Sequence, residues 1–167
     1  MARCAWAAES SPSCLKCQGC QCLCINFRTQ ASQEVRRKAS GVFVLVDPRQ
    51  ASEALGYYTL CATALPQADV PAAARKHVPR YPLVSATLVR RLAVAEGYQG
   101  QRLGGLLLAD AVRRAYSSAG SVGSSMLVVD AISEEAAAFY AAHGLVRPPE
   151  SLRLVLSMQV IAKLVAP

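Results

Sequence analysis

Apolar residues recur along this chain in two periods. Gly41-Val-Phe-Val-Leu-Val-Asp-Pro48 is a near-continuous apolar run closed by Asp47-Pro48, which cannot extend a β-ladder, and it predicts a strand. Leu55-Gly-Tyr-Tyr-Thr-Leu-Cys-Ala-Thr-Ala-Leu65 predicts a longer strand able to pair with it as an antiparallel hairpin. Between Pro66 and Pro82, the segment Val70 to His77 predicts one or two helical turns, and Leu83 to Val94 is the next long strand. The period then changes to 3.6. From Gly104 to Ser118, Asp110, Arg113, Arg114 and Ser117 mark a face expected to meet water. Leu103, Leu107, Leu108, Ala111, Val112 and Ala115 mark the face expected to pack on a sheet. Gly120 to Ser125 reads as a return to the strand Met126–Ala131. Ser133 with Glu134 and Glu135 predicts a helix start, and Gly144 its left-handed end. Leu152 to Met158 alternates as a last strand. Strands followed by strand–helix–strand–helix–strand make an α/β (α+β) mixed sheet with helices on its faces.

Between strand Leu83–Val94 and the following helix lies Glu96-Gly-Tyr-Gln-Gly-Gln-Arg-Leu-Gly-Gly105. A Gly-rich turn opening a helix aims backbone N–H groups at one point, with the positive end of the helix dipole behind them. That is a main-chain anion site suited to a pyrophosphate. Neither a Rossmann nor a P-loop protein fits, because the turn comes late, no Gly-Lys-Ser/Thr follows, and no acidic residue ends a strand where a ribose would need it.

Composition narrows the class. At 167 residues and 53% hydrophobic the chain is long enough for one packed domain. No apolar run approaches the roughly 20 residues of a membrane span, and Met1 to Ala8 lacks a secretory h-region, so a cytoplasmic protein is expected. The net charge of +7 is spread over Arg36-Arg-Lys38, Arg75-Lys-His77 with Arg80, Arg90-Arg91 and Arg113-Arg114. These groups could converge into a polyanion-binding patch or could be ordinary solvated faces. Aromatic residues are too few for a base-stacking platform, so any nucleic acid would be held through phosphate. Six of the seven cysteines fall in residues 1–30, with Cys14, Cys17, Cys20, Cys22 and Cys24 closely spaced. Such thiolates could hold zinc or an iron–sulfur cluster, but no Cys-Pro, second knuckle or histidine completes either pattern. The expectation is therefore a divergent, poorly ordered N-terminal segment without metal, followed by a single domain over 31–167. Cys61 reads as core.

Arg91-Leu-Ala-Val94 with Gln99-Gly-Gln-Arg-Leu-Gly104, followed at the right spacing by Val128-Val-Asp130 and Ala138-Phe-Tyr-Ala-Ala-His-Gly-Leu145, resembles the acetyl-CoA signature of the GNAT N-acetyltransferases. From about Phe27 to Leu164 the chain is similar to the GNAT toxins of type II toxin–antitoxin pairs. The resemblance implies a mostly antiparallel twisted sheet splayed between its fourth and fifth strands. It also implies acetyl transfer from acetyl-CoA to the α-amine of aminoacyl-tRNA, a ribbon–helix–helix antitoxin as partner, a homodimer, and no metal. It assigns the pantetheine arm to the backbone of Leu92, Ala93 and Val94, with an N–H near Val94 as oxyanion donor. The pyrophosphate falls to the N–H groups of Gln99, Gly100, Gln101, Arg102, Leu103, Gly104 and Gly105. Tyr140 is implied as the acid that protonates the leaving thiolate; by pattern alone it reads as core beside Phe139. Arg36, Arg37, Arg75, Lys76, Arg80, Arg90 and Arg91 are the candidate tRNA contacts, and Glu96 and Asp130 possible water-mediated bases. His77 and His143 read as surface or packing residues. The family has Gly where this chain has Arg102, which keeps the N–H but adds a guanidinium able to reach phosphate. Two other readings stay open: acetylation of a small amine or a protein N-terminus, and a catalytically silent acetyl-CoA- or antitoxin-binding module.

Overall fold

The apolar runs become strands and the 3.6-period segments become helices. The structure, a computed structural model, describes residues 3–6, 32–76, 78, 80–149 and 151–165; the cysteine run Cys14–Cys24 and His77 lie outside them. The elements in order are β1 (Arg3–Trp6), α1 (Ser32–Arg36), β2 (Gly41–Asp47), β3 (Gln50–Pro66), a 3-10 turn (Gln67–Asp69), α2 (Ala72–Arg75) and β4 (Leu83–Val94). After a second 3-10 turn (Glu96–Tyr98) come α3 (Leu103–Val122), β5 (Met126–Asp130), α4 (Glu134–Ala142), β6 (Arg153–Ser157) and α5 (Met158–Val165). The six strands lie in the hydrogen-bonded order β1-β2-β3-β4-β5-β6. The pairs β1–β2, β2–β3 and β5–β6 are antiparallel and β4–β5 is parallel. The parallel β4–β5 pair follows from the α3 crossover, since parallel neighbours need a long connection. The mixed sheet expected from the sequence is therefore present. The parallel register joins Ala86–Val89 to Met126–Val129, and β4 continues for five residues beyond it.

The chain folds as two compact units. One contains the residues up to Cys61 together with Arg91–Ala111, the other Ala62–Arg90 and the residues from Val112 on. In the first, β2 and β3 form the expected hairpin, closed at Pro48-Arg49, where Arg49 N–H donates to Asp47 Oδ1 at 2.8 Å. Period-2 alternation gives this hairpin two faces. Val42, Val44 and Tyr57 pack with Val35, Val46, Ala54 and Ala93 on one. On the other, Phe43 stacks on Tyr58 at 5.0 Å. Tyr58 is fully buried, and its hydroxyl donates to Asp110 Oδ2 of α3 at 2.5 Å. Asp110 is thus half-buried and bonded to the sheet, not on the water-facing side its helical spacing predicted. Cys61, expected in the core, is half-exposed near the end of this pairing.

In the second unit, Leu65, Val70, Val78, Val84, Ala86, Met126, Val128 and Val155 form the core. Ser133 caps α4 as expected, its side chain accepting from Ala136 N–H, and Gly144 takes φ +88° beyond the helix. One predicted boundary shifts, and one helix has no counterpart in the sequence expectation. Helix α3 runs through Gly120 and ends at Gly123, whose φ of +69° makes it the left-handed stop. Helix α5 was unassigned from sequence; its signal is Ser157, whose Oγ accepts from Val160 N–H at 3.3 Å, followed by buried Met158 and Ile161.

Candidate cofactor site

Within the first unit, the end of β4, the turn after it and the start of α3 make one continuous structure. Ala95 N–H donates to Leu55 O at 2.8 Å. Main-chain groups alternate sides along a strand, so the N–H of Val94 points to the side β3 does not occupy. That is the direction an oxyanion donor requires. Gly56 explains how β3 and β4 come so close. A Cβ there would lie 2.7 Å from Ala93 O, 2.9 Å from Leu107 Cδ1 and 3.3 Å from Val94 Cα. In the sequence the signal of such a backbone approach is Gly56 itself, a lone glycine inside a strand pattern.

The turn after β4 is left-handed twice, at Gly100 (φ +75°) and Arg102 (φ +60°). In α3 the first N–H to find a helical acceptor is that of Leu106, 3.4 Å from Arg102 O. By helix geometry the N–H groups of Leu103, Gly104 and Gly105 therefore project from the end. The first turn of α3 carries no acidic residue, whereas α4 has Glu134 and Glu135 in the same place. The positive end of the α3 dipole is therefore not met by a carboxylate of its own first turn. One predicted donor drops out. Gln99 N–H is already bonded to Glu96 O at 3.3 Å, closing the 3-10 turn. Its side-chain Nε2 lies 3.5 Å from Val94 O instead. Gly100, Gln101 and Arg102 are exposed, and Leu92, Ala93, Val94, Leu103, Gly104 and Gly105 half-buried.

Tyr140 lies in the second unit, on the buried side of α4, 8% exposed, with its ring edge-on to Phe139 at 5.1 Å. Burial raises its pKa above the ordinary 10.0, so the phenol keeps its proton at neutral pH. Asp130, a candidate base, is held instead in a fork with Arg153, at 2.6 and 3.1 Å. Glu96 is exposed. His143 is exposed beyond α4, its Nδ1 2.8 Å from Phe139 O, a packing residue as expected.

Of the basic candidates, Arg36, Arg37, Lys76, Arg80 and Arg90 are exposed and Arg91 is half-buried. Arg75 is partly used in its own loop, donating to Val70 O at 2.9 Å and Ala68 O at 3.0 Å. Among the described residues no group of three His, Cys, Asp or Glu could hold a metal ion, and no helix is long and apolar enough to cross a membrane.

No protein-family model matches the chain. In sequence it is 36% identical over 106 residues to a tRNA-acetylating toxin of Mycobacterium tuberculosis, a stretch that spans 63% of each protein. In structure it is similar to the toxin AtaT complexed with acetyl-methionyl-tRNAfMet, with a TM-score of 0.78 and 27% identity over 86% of both chains. The AtaTR complex bound with acetyl-CoA matches with a TM-score of 0.77 and 25% identity over 98% of this chain and 97% of that one. A tyrosine-to-phenylalanine mutant of KacT has the same fold, with a TM-score of 0.85 and 24% identity over 98% of both. A parallel β4–β5 pair, a Gly-rich turn opening α3 and these likenesses in sequence and fold make the chain similar to the tRNA-acetylating toxins, and it spans less than two thirds of the length of the curated relative it matches.

Proposed function

We propose that this protein is an acetyl-CoA-dependent N-acetyltransferase that acetylates the α-amine of aminoacyl-tRNA and so blocks translation in the cytoplasm. The observation that carries the reading is the end of α3, where projecting main-chain N–H groups and a left-handed turn await an anion directly after the β4 segment that would align a pantetheine. Likeness to a tRNA-acetylating toxin supports the choice of acceptor.

In this reading the amine nitrogen attacks the thioester carbonyl, Val94 N–H stabilises the oxyanion, and the C–S bond breaks as Tyr140 gives its proton to the thiolate; the acylated nitrogen sheds its proton to water, and water restores the phenol. A thiol titrates near 8.5 and an ordinary tyrosine near 10, a gap of about 2 kcal/mol that is small against a typical catalysed barrier; burial of Tyr140 widens it. The acceptor needs no strong base. The ester draws electrons from an α-amine that would otherwise titrate at about 7.7–8.0, leaving much of it neutral at cellular pH. Exposed Arg36, Arg37, Lys76, Arg80 and Arg90, with Arg91, would contact tRNA phosphates. A homodimer neutralised by a ribbon–helix–helix antitoxin completes the proposal.

The test is incubation of the purified protein with acetyl-CoA and charged tRNA, followed by mass spectrometry of the aminoacyl end. An added acetyl group on the α-amine is expected. Unmodified tRNA beside an acetylated small amine would replace this reading with that of a small-molecule acetyltransferase.

A further inference from the structure

Gly56 and Tyr58, two residues apart on one face of β3, both meet α3. Gly56 lies against Leu107, and the Tyr58 hydroxyl donates to Asp110 Oδ2 at 2.5 Å. Leu107 and Asp110 are three residues apart and so share one face of the helix. Strand and helix therefore run the same way across this contact and are joined at two points, all within the first unit. The two points differ in kind. Leu107, with buried Leu108 and Ala111 beside it, makes an apolar contact, which resists separation but has no direction. The bond from Tyr58 to Asp110 has one. Aspartate is a poor residue for a helix interior, and half-burying its carboxylate costs solvation. A leucine packed on a phenylalanine would hold the same two elements with no loss of stability. What the polar pair adds is a fixed place for α3 along its own axis.

That place matters because of what α3 carries. Its first turn, Leu103–Gly105, presents N–H groups to an anion, and Val94 presents the N–H for an oxyanion. The eight residues 95–102 between them form an irregular turn with left-handed Gly100 and Arg102. The spacing of the two groups is therefore set by how α3 docks on β3. We propose that Tyr58 and Asp110 are positioning residues: their bond fixes the distance from the anion-binding turn of α3 to Val94, and so the fit of one acetyl-CoA to both. This rests on the acetyl-CoA reading above. A ligand held at both ends is sensitive to that distance, since a misplacement of about 1 Å can lower a rate by about 10²-fold. Inorganic pyrophosphate, which would meet the turn alone, is not.

The double variant Tyr58→Phe, Asp110→Leu tests this in the full-length protein, with the affinities for acetyl-CoA and for inorganic pyrophosphate measured by titration. The variant is expected to keep the wild-type Tm or exceed it, to lose acetyl-CoA affinity tenfold or more, and to bind pyrophosphate as the wild type does. Asp110→Asn, which keeps an acceptor oxygen in place, should restore acetyl-CoA affinity to within about twofold. Wild-type acetyl-CoA affinity in the double variant would make the bond a fold contact only and overturn the proposal. Equal loss of both ligands would place the effect in the turn itself, and loss in Asp110→Asn would place it in the charge; either result overturns it too. Should the double variant not fold, Tyr58→Phe alone, one oxygen smaller, carries the same expectation. A wild type that takes pyrophosphate but no acetyl-CoA refutes the cofactor reading instead. The positioning role is then read from a crystal structure of the variant: α3 displaced along its axis upholds it, and α3 in the wild-type place overturns it.

Discussion

Arg102 departs from good local design three times over. It holds a left-handed φ of +60°, which costs a residue with a side chain about 1–2 kcal/mol. It stands where a helix start favours Ser, Thr, Asp or Asn, and it puts a cation at the positive end of the α3 dipole. Lys38 also has a positive φ, but just after α1, where a left-handed residue is an ordinary helix end. Arg102→Gly should therefore raise the melting temperature of the ligand-free protein, by roughly 1 kcal/mol of stability, while weakening acetyl-CoA binding about tenfold if the guanidinium meets phosphate. Calorimetry on both proteins reads the two signs, and equal or tighter binding by the glycine variant would show that the side chain contributes nothing. Tyr140→Phe should lower kcat by about 10²–10⁴ without changing acetyl-CoA affinity, the usual cost of losing a general acid. The raised pKa of Tyr140 also has a consequence for stability. Its contribution is complete below pH 10 and is lost as pH rises through the folded-state value. Denaturation above pH 10 should thus come earlier for wild type than for Tyr140→Phe.

Among the elements, β4 matters most for the proposed site, because its last five residues extend beyond the parallel register with β5. Gly56 holds that segment against β3. Gly56→Ala would force a Cβ to within 3 Å of Ala93 O and Leu107 Cδ1, so β3 would have to part from both β4 and α3. A loss of about 1–3 kcal/mol is expected, as for overpacking generally, with a weaker acetyl-CoA affinity in whatever remains folded. Unchanged affinity in that variant would separate Gly56 from the site. Helix α4 is by contrast designed by local rules. It has a serine cap, two acids in its first turn, and Glu134 forked to Arg147 at 2.5 and 2.8 Å, which holds the Glu134 carboxyl below its usual pKa. Ser133→Ala should cost about 1 kcal/mol and leave the chemistry of the site unchanged.

At the scale of the whole molecule the net charge of +7 is the dominant field. If acceptor binding is chiefly phosphate neutralisation, KM for tRNA should climb steeply between 50 and 200 mM salt, by roughly tenfold or more for even a few phosphate contacts. KM for acetyl-CoA, set by directed N–H groups, should move far less. The double variant Arg90→Glu, Arg91→Glu should abolish tRNA acetylation while acetyl-CoA affinity stays near wild type. Parallel loss of both would argue that these arginines hold the fold and not the RNA.

The sequence by itself determined the elements that depend on near neighbours: the β2–β3 hairpin, β4 to its last residue, the Gly-rich turn, the Ser133 cap and the Gly144 stop. Each is written in periodicity, cap or turn chemistry within a few positions, so a local reading suffices. Tertiary structure decided the rest. Asp110 reads as a solvent residue until Tyr58, 52 positions away, reaches it. Gly56 gains its purpose only against Ala93 and Val94. Gln99 N–H looked available until the 3-10 turn claimed it, and Asp130 until Arg153 did. Contacts of this kind are fixed by which strands align and how closely, a choice settled by packing the whole sheet and not by any window of sequence.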